Sequence, residues 1–187
     1  MTLFRAALIL VALALPARAE IAIQEVTSPG GIKAWLVEDH NIPFTALEIR
    51  FQGGQSLDAP GKRGAVNLMT ALIEEGADQM DAQAFAAARD DLAAQLGFGS
   101  DVDGISVSAQ FLTENRDASV ALLRAALVNP RFDADAVERV RGQVLANLRA
   151  SEQDPGEIGS KLLIARSFGD HPYGSPDRKS TRLNSSH

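Results

Sequence analysis

The run Gly104–Phe111, GISVSAQF, sets the tightest limit on the fold. Ile105, Val107, Ala109 and Phe111 alternate with Ser106, Ser108 and Gln110, the period-two pattern of a strand with one apolar face. On either side of it the apolar period is helical. From 64 to 75, in GAVNLMTALIEE, apolar residues lie almost all round, which predicts a deeply buried helix. Asp81 reads as the N-cap of the next helix, with Phe85, Ala88, Leu92 and Leu96 at helical spacing. Thr113 can cap a helix carrying Val120, Leu123 and Leu127, which Asn129-Pro130 stops. Asp133 starts a longer one with Val137, Val140, Val144 and Leu148 on one side. Asp154-Pro155-Gly156-Glu157 puts Asp at an N-cap, Pro at the first helical position and an acid at the third. Upstream, two short alternating runs flank Ser28-Pro29-Gly30-Gly31, a hairpin signal. Phe44–Gln52 is a third strand, with Phe44, Ala46 and Glu48 on one face and Thr45, Leu47, Ile49 and Phe51 on the other. A glycine-rich loop, GGQSLDAPGKRG, follows it. The order is strands, two helices, strands, then a run of helices. It predicts an α+β domain, a mainly antiparallel sheet with helices packed on one side.

The two ends read differently from the body. Arg5, an apolar run from Ala6 to Leu15, Pro16 and the small-x-small pattern Ala17-Arg18-Ala19 describe a cleaved secretory signal over residues 1–19. The apolar run is too short to span a bilayer with ease. The chain has no cysteine, which excludes a lipoprotein anchor and structural disulfides. A bacterial periplasmic location is expected. Residues 177–187, DRKSTRLNSSH, match the translation of a common sequencing-library adapter and are read as a non-native tail. The native chain is then expected to continue past Pro176, with 20–176 forming one incomplete domain. The whole chain carries 18 basic and 24 acidic residues. Removing Arg5 and Arg18 with the signal, and Arg178, Lys179, Arg182 and Asp177 with the tail, leaves 13 against 23, a net charge near −10. An acidic body argues against nucleic acid and anionic membrane surfaces as partners.

The remaining chemistry is sparse. Glu74 and Glu75, with Asp78 beyond, offer hard oxygen ligands suited to calcium or magnesium, or simply a solvated helix end. His40 sits in a loop between strands, and His171 lies in HPYG, a turn. Two histidines far apart and no cysteine make a poor zinc inventory. No Ser/His/Asp set or phosphate loop stands out. Gly97-x-Gly99 precedes a strand rather than a helix, so the dinucleotide motif is absent.

The ordered pieces FQGGQSLDAPGKRG, AVNLMTALIEEGA, LAAQLGFGSDVDG, LLRAALVNPRFDADAVERVRGQVLANLRASEQDP and FGDHPYGSP together resemble the N-terminal domain of the M16 peptidases. This is the insulinase and mitochondrial-processing-peptidase family, of LuxS/MPP-like metallohydrolase fold. Active members carry H-x-x-E-H on the first buried helix. Two imidazoles four residues apart share a helical face and can reach one zinc ion. The glutamate serves as base for the metal-bound water, and a distal glutamate completes the ligand set. Aligned on Gly64 and Gly76, Asn67 stands at the first histidine, Thr70 at the glutamate, Ala71 at the second histidine and Asn147 at the distal glutamate. Asn is a weak neutral ligand, Ala has no donor, and Thr accepts no proton near neutral pH. No catalytic, cofactor-binding or metal-binding residue is therefore expected in this chain. Asn147 lies at helical spacing from Val140 and Val144 and is expected to face inward. There it meets Asn67, directly or through a water, or each amide bonds nearby backbone.

The resemblance implies a non-catalytic subunit of a heterodimeric periplasmic peptidase. Its partner would be an M16 subunit bearing H-x-x-E-H and the zinc. The chain would supply chamber wall and dimer surface, and substrate-binding residues would lie in the missing C-terminal half. The alternative is a self-standing periplasmic peptide-binding or scaffold protein of the same fold. An active peptidase with an unusual site is the third reading. A chain that stops near Pro176 is also expected to expose a sheet edge or apolar patch and to fold marginally.

Overall fold

The structure, a computed structural model, describes residues 22–59, 61–169, 171 and 173. The signal segment 1–19 and the tail 177–187 lie outside the described residues. The chain divides into two compact units, 1–42 and 43–187. The first contains a hairpin of β1 (Ile23–Thr27) and β2 (Lys33–Val37), paired antiparallel from Ile23 opposite Val37 to Thr27 opposite Lys33. Its turn is where the sequence places it. The Gly31 N–H donates to the Ser28 carbonyl at 2.9 Å, and Ser28 Oγ accepts from the Ile32 N–H at 3.0 Å. Gly31 has φ +83°, a conformation that suits glycine.

The second unit runs β3 (Phe44–Gln52), α1 (Ala65–Leu72), a 3-10 turn (Ile73–Glu75), β4 (Gly76–Ala77), β5 (Met80–Asp81) and α2 (Ala82–Asp91). It continues through β6 (Gln95–Ser100), β7 (Gly104–Leu112), α3 (Arg116–Val128), α4 (Ala134–Ser151) and α5 (Pro155–Phe168). The main sheet has the order β3-β7-β6, antiparallel throughout. Period-two alternation in β7 decides which face is covered. Val107, Ala109 and Phe111 are buried while Ser108 and Gln110 are exposed. Leu96 of β6 and half-buried Ile49 of β3 lie on the covered side. Phe85 of α2 and Leu122, Leu123 and Ala126 of α3 complete the core there. The fold is thus the α+β arrangement expected, with helices on one side of an antiparallel sheet. No helix among the described residues is long and apolar enough to cross a membrane.

Several local expectations need correction. The helix of Phe85 does not reach Leu96. It stops at Asp91, because Ala93 turns into the left-handed region at φ +49°, and Leu96 belongs to β6. Gly97 and Gly99 therefore lie within a strand instead of preceding one. A Cβ on Gly97 would stand 2.7 Å from Ser108 Oγ, and one on Gly99 3.1 Å from Ser106 Oγ. These glycines let β6 lie close to the serines of β7. Thr113 caps nothing. Residues 113–115 form a 3-10 turn, and α3 begins at Arg116 with no side-chain cap. The inward face of α3 is Ser119, Leu122, Leu123 and Ala126, leaving Val120 exposed. Asp133 precedes α4 without capping it, since its carboxylate is held by Arg131 at 2.8 and 3.2 Å. The helix over 64–75 is less deeply sunk than expected. Asn67, Thr70, Leu72 and Ile73 are buried, while Val66, Leu68, Met69 and Ala71 are half-buried.

Candidate functional site: the groove between α1 and α4

α1 starts at Gly64, whose φ of +90° lets the chain enter the helix abruptly. Its first free N–H groups are satisfied from outside the helix. The Asp58 carboxylate accepts from Gly64 N at 2.7 Å and from Val66 N at 3.0 Å. A remote carboxylate here replaces the usual N-cap side chain and also suits the positive end of the helix dipole. Sequence reasoning missed Asp58, because its only signal is an acid upstream of a glycine-bounded helix.

The positions singled out in the sequence can now be placed. Asn67 is 6% exposed and Thr70 is 5% exposed. The Thr70 hydroxyl donates to the Asn67 carbonyl at 2.9 Å, so it is occupied within its own helix. Ala71 is half-buried and brings no donor atom. Asn147, expected inward, is exposed. The buried residues of α4 are Ala136 and Val140, and Asn147, seven residues after Val140, is rotated only roughly 20° from it; it is on that side of the helix, but the turn that carries it is largely uncovered. Arg141, Val144, Leu145 and Leu148 line a groove with α1. No described hydrogen bond links Asn67 with Asn147, and Asn147 does not line the groove that Asn67 lines. The Asn67 amide makes no hydrogen bond among the described residues but is not sealed from water; the buried side-chain atoms left without a partner there are Gln55 Oε1 and Ser119 Oγ.

The groove itself has a volume of about 140 Å³. Leu68, Val144, Leu145 and Leu148 form its walls, and Arg63 and Arg141 also line it. Both arginines went unremarked in the sequence. Arg141 is three residues before Val144 and seven before Leu148, a helical spacing that places it on the same seam; Arg63 had no comparable signal.

The carboxylates below α1 do not gather. Glu74 pairs with Arg89 at 3.0 Å, and Glu75 takes both Nη atoms of Arg139 at 2.5 and 3.1 Å. Asp78 accepts from Asn129 Nδ2 at 2.8 Å. Burial raises the Glu74 carboxyl above its ordinary range, with Arg89 opposing the shift. Among the described residues no three His, Cys, Asp or Glu side chains come close enough to hold a metal ion. His40 is a loop residue, 89% exposed at its side chain, with Nε2 3.4 Å from Glu38. His171 accepts at Nδ1 from the Tyr173 N–H at 3.2 Å, and the two rings stack edge-on with centroids 4.9 Å apart. The Tyr173 hydroxyl in turn donates to Asp103, in the turn between β6 and β7. The donor set on α1 and α4 does not fit a zinc ion: one amide, one committed hydroxyl, one methyl and one exposed amide.

An antiparallel sheet backed by helices, with a partly buried first helix and a long fourth helix flanking a groove, is the framework of a metallohydrolase-type domain. The chain belongs to the insulinase family of peptidases, family M16, whose model matches residues 33–180. It is 27% identical over 138 residues to the non-peptidase homolog YmxG of Helicobacter pylori, covering 74% of this chain and 32% of that protein. It is 24% identical over 158 residues to an uncharacterized zinc protease of Mycobacterium tuberculosis, covering 84% of this chain and 36% of the relative. The chain thus spans about a third of the length of these relatives. Among solved structures, the peptidase M16 inactive domain from Pseudomonas fluorescens superposes with a TM-score of 0.78 at 27% identity. That match covers 89% of this chain and 41% of the other.

Proposed function

We propose that the chain is part of a non-catalytic M16 subunit that works beside a zinc-bearing homologue, contributing chamber wall and dimer surface. One observation carries the reading. The four positions that would seat and serve a zinc ion hold Asn67, Thr70, Ala71 and Asn147, with Thr70 committed to its own helix and Asn147 exposed. No water can be activated by such a set. The names given to two similar proteins, a non-peptidase homolog and an inactive domain, support the same reading. Export to the periplasm, through residues 1–19, is part of the proposal, as is zinc held only by the partner. The test is zinc stoichiometry on the purified full-length protein, followed by peptidase assays alone and with an H-x-x-E-H-bearing partner. The expected result is no bound zinc and no cleavage alone, with chelator-sensitive cleavage by the pair. Strong chelator-sensitive cleavage by the chain alone overturns the proposal. A metal-free protein that binds peptides and gains no activity from any such partner favours a self-standing binding protein instead.

A further inference from the structure

We propose that Phe168, His171 and Tyr173 form a pH-sensitive latch, which fastens the end of α5 to the β6–β7 turn while His171 is neutral and opens when His171 takes up a proton.

The latch is built from contacts in series. The His171 N–H donates to the Phe168 carbonyl at 3.0 Å, turning the chain back at the end of α5. The Tyr173 N–H donates to His171 Nδ1 at 3.2 Å. The Tyr173 ring stands edge-on to both neighbours, with centroids 4.9 Å from His171 and 5.8 Å from Phe168, the arrangement that ring quadrupoles favour. So held, its hydroxyl donates to the Asp103 carboxylate in the β6–β7 turn. None of these residues stands at a family zinc position, so the latch is independent of what became of the metal.

The turn it grips governs the entry to α1. The Asp103 carbonyl accepts from Gly53 N at 2.7 Å, and the Asp101 and Val102 carbonyls accept from Gln55 N and Ser56 N at 2.9 and 3.0 Å. The same loop runs on to Asp58, whose carboxylate takes the Gly64 and Val66 N–H groups. One chain of bonds therefore joins the end of α5, the turn, the loop and the start of α1.

The switch lies in the chemistry of Nδ1. A neutral imidazole can accept there, whereas an imidazolium carries a proton on both nitrogens. Histidine is the side chain suited to change charge between about pH 5 and 8. Acid thus sets one donor against another, and the bond to Tyr173 N–H is lost. Among the described residues, the charged groups facing the Tyr173 hydroxyl are Asp103 and Asp101 of the turn. Arg50 of β3 is held by Asp101 at 2.5 Å. An imidazolium is drawn to the same Asp103 carboxylate that the phenol holds, and competes for it. The phenol keeps its proton across this range, because its bond to Asp103 raises it above its ordinary value.

Tyr173 is the one tyrosine of the chain, so isotope-labelled tyrosine reports the latch alone. NMR spectra of the full chain are followed from about pH 8 to about pH 5. The Tyr173 ring signals are expected to move with the same midpoint as the His171 imidazole. The ratio of closed to open latch should fall about threefold to tenfold, the worth of one hydrogen bond. His171→Asn supplies a neutral acceptor for the N–H two residues on and does not titrate, so its Tyr173 signals should stay closed throughout. Hydrogen exchange of the Gly53 amide reads the effect on the loop. At about pH 5.5 it should be about threefold or more faster in the parent than in His171→Asn, and equal in the two at about pH 7.5. Tyr173→Phe keeps the stack without the bond to Asp103, and should speed Gly53 exchange at both pH values. Tyr173 signals that ignore the His171 titration overturn the proposal. So does a pH response that persists in His171→Asn, which assigns the switch to another group. Gly53 exchange that is equal in the parent and His171→Asn at both pH values overturns the link from latch to loop.

Discussion

Replacing Gly54 by alanine tests how the loop before α1 is held. Gly54 is buried, and its φ of −110° is open to any residue, so only space is at issue. An added Cβ would lie 2.1 Å from the Asp101 carbonyl oxygen and 2.7 and 2.8 Å from Gly104 N and O. These are backbone atoms of the β6–β7 turn, and that turn is itself pinned. Asp101 Oδ1 accepts from Asp103 N at 2.8 Å and Gly104 N at 2.9 Å. The loop must therefore retreat. Retreat breaks the bonds from Gly53 N to Asp103 O at 2.7 Å, Gln55 N to Asp101 O at 2.9 Å and Ser56 N to Val102 O at 3.0 Å. At about 1 kcal/mol each, the loss is about 3 kcal/mol. Gly142 in α4 is the control, since nothing lies within 4 Å of its added Cβ. Alanine there should stabilise by up to about 1 kcal/mol through helix propensity. Urea unfolding followed by circular dichroism reads both. With a slope of about 2 kcal/mol per molar, Gly54→Ala lowers the midpoint by about 1.5 M and Gly142→Ala raises it by up to about 0.5 M. A Gly54→Ala midpoint within about 0.25 M of the parent would show that the loop is not locked to the turn as described.

Phe85 has no exposed surface, so Phe85→Ala should cost about 3–5 kcal/mol and lower Tm by roughly 10 °C in calorimetry; a fall of about 2 °C would place Phe85 outside the core. The Asp81 carboxylate accepts from Ala84 N at 2.9 Å as the cap of α2. Asp81→Ala should cost about 1 kcal/mol and Asp81→Asn much less, and equal losses in urea unfolding would contradict a capping role. Glu74 has a carboxyl raised in the fold from its ordinary 4.5 by burial, against the opposing pull of Arg89. Its contribution is full below 4.5 and fades as pH rises through the raised value. Glu74→Gln should therefore flatten stability against pH from 4.5 upward, and unfolding curves that stay parallel to the parent across that window would refute the assignment.

What the sequence made readable was whatever has a local chemical signature. Asp81 and Asp154 cap α2 and α5 as their spacing implied, with Asp154 accepting from Glu157 N at 2.9 Å. Ser28 to Gly31 turn the hairpin, and the alternation of Val107, Ala109 and Phe111 against Ser108 and Gln110 gives the covered face of the sheet. Features set by tertiary contact were not readable. The end of α2 depends on an alanine, Ala93, adopting a conformation that glycine would have advertised. β6 hides behind Gly97 and Gly99, which match the serines of β7 and not a strand propensity scale. Asn147 shares a helical side with buried Val140 by counting, but the last turns of α4 are largely uncovered, so it is exposed. The two arginines lining the groove became visible only when the helices were placed.

The tie between Glu75 and Arg139 joins the end of the α1 segment to the first half of α4. It lies outside Asn67, Thr70, Ala71 and Asn147, yet it spans the same two helices. A change at any of those four positions leaves this cross-brace in place, so how the two helices are held together does not depend on what those positions carry.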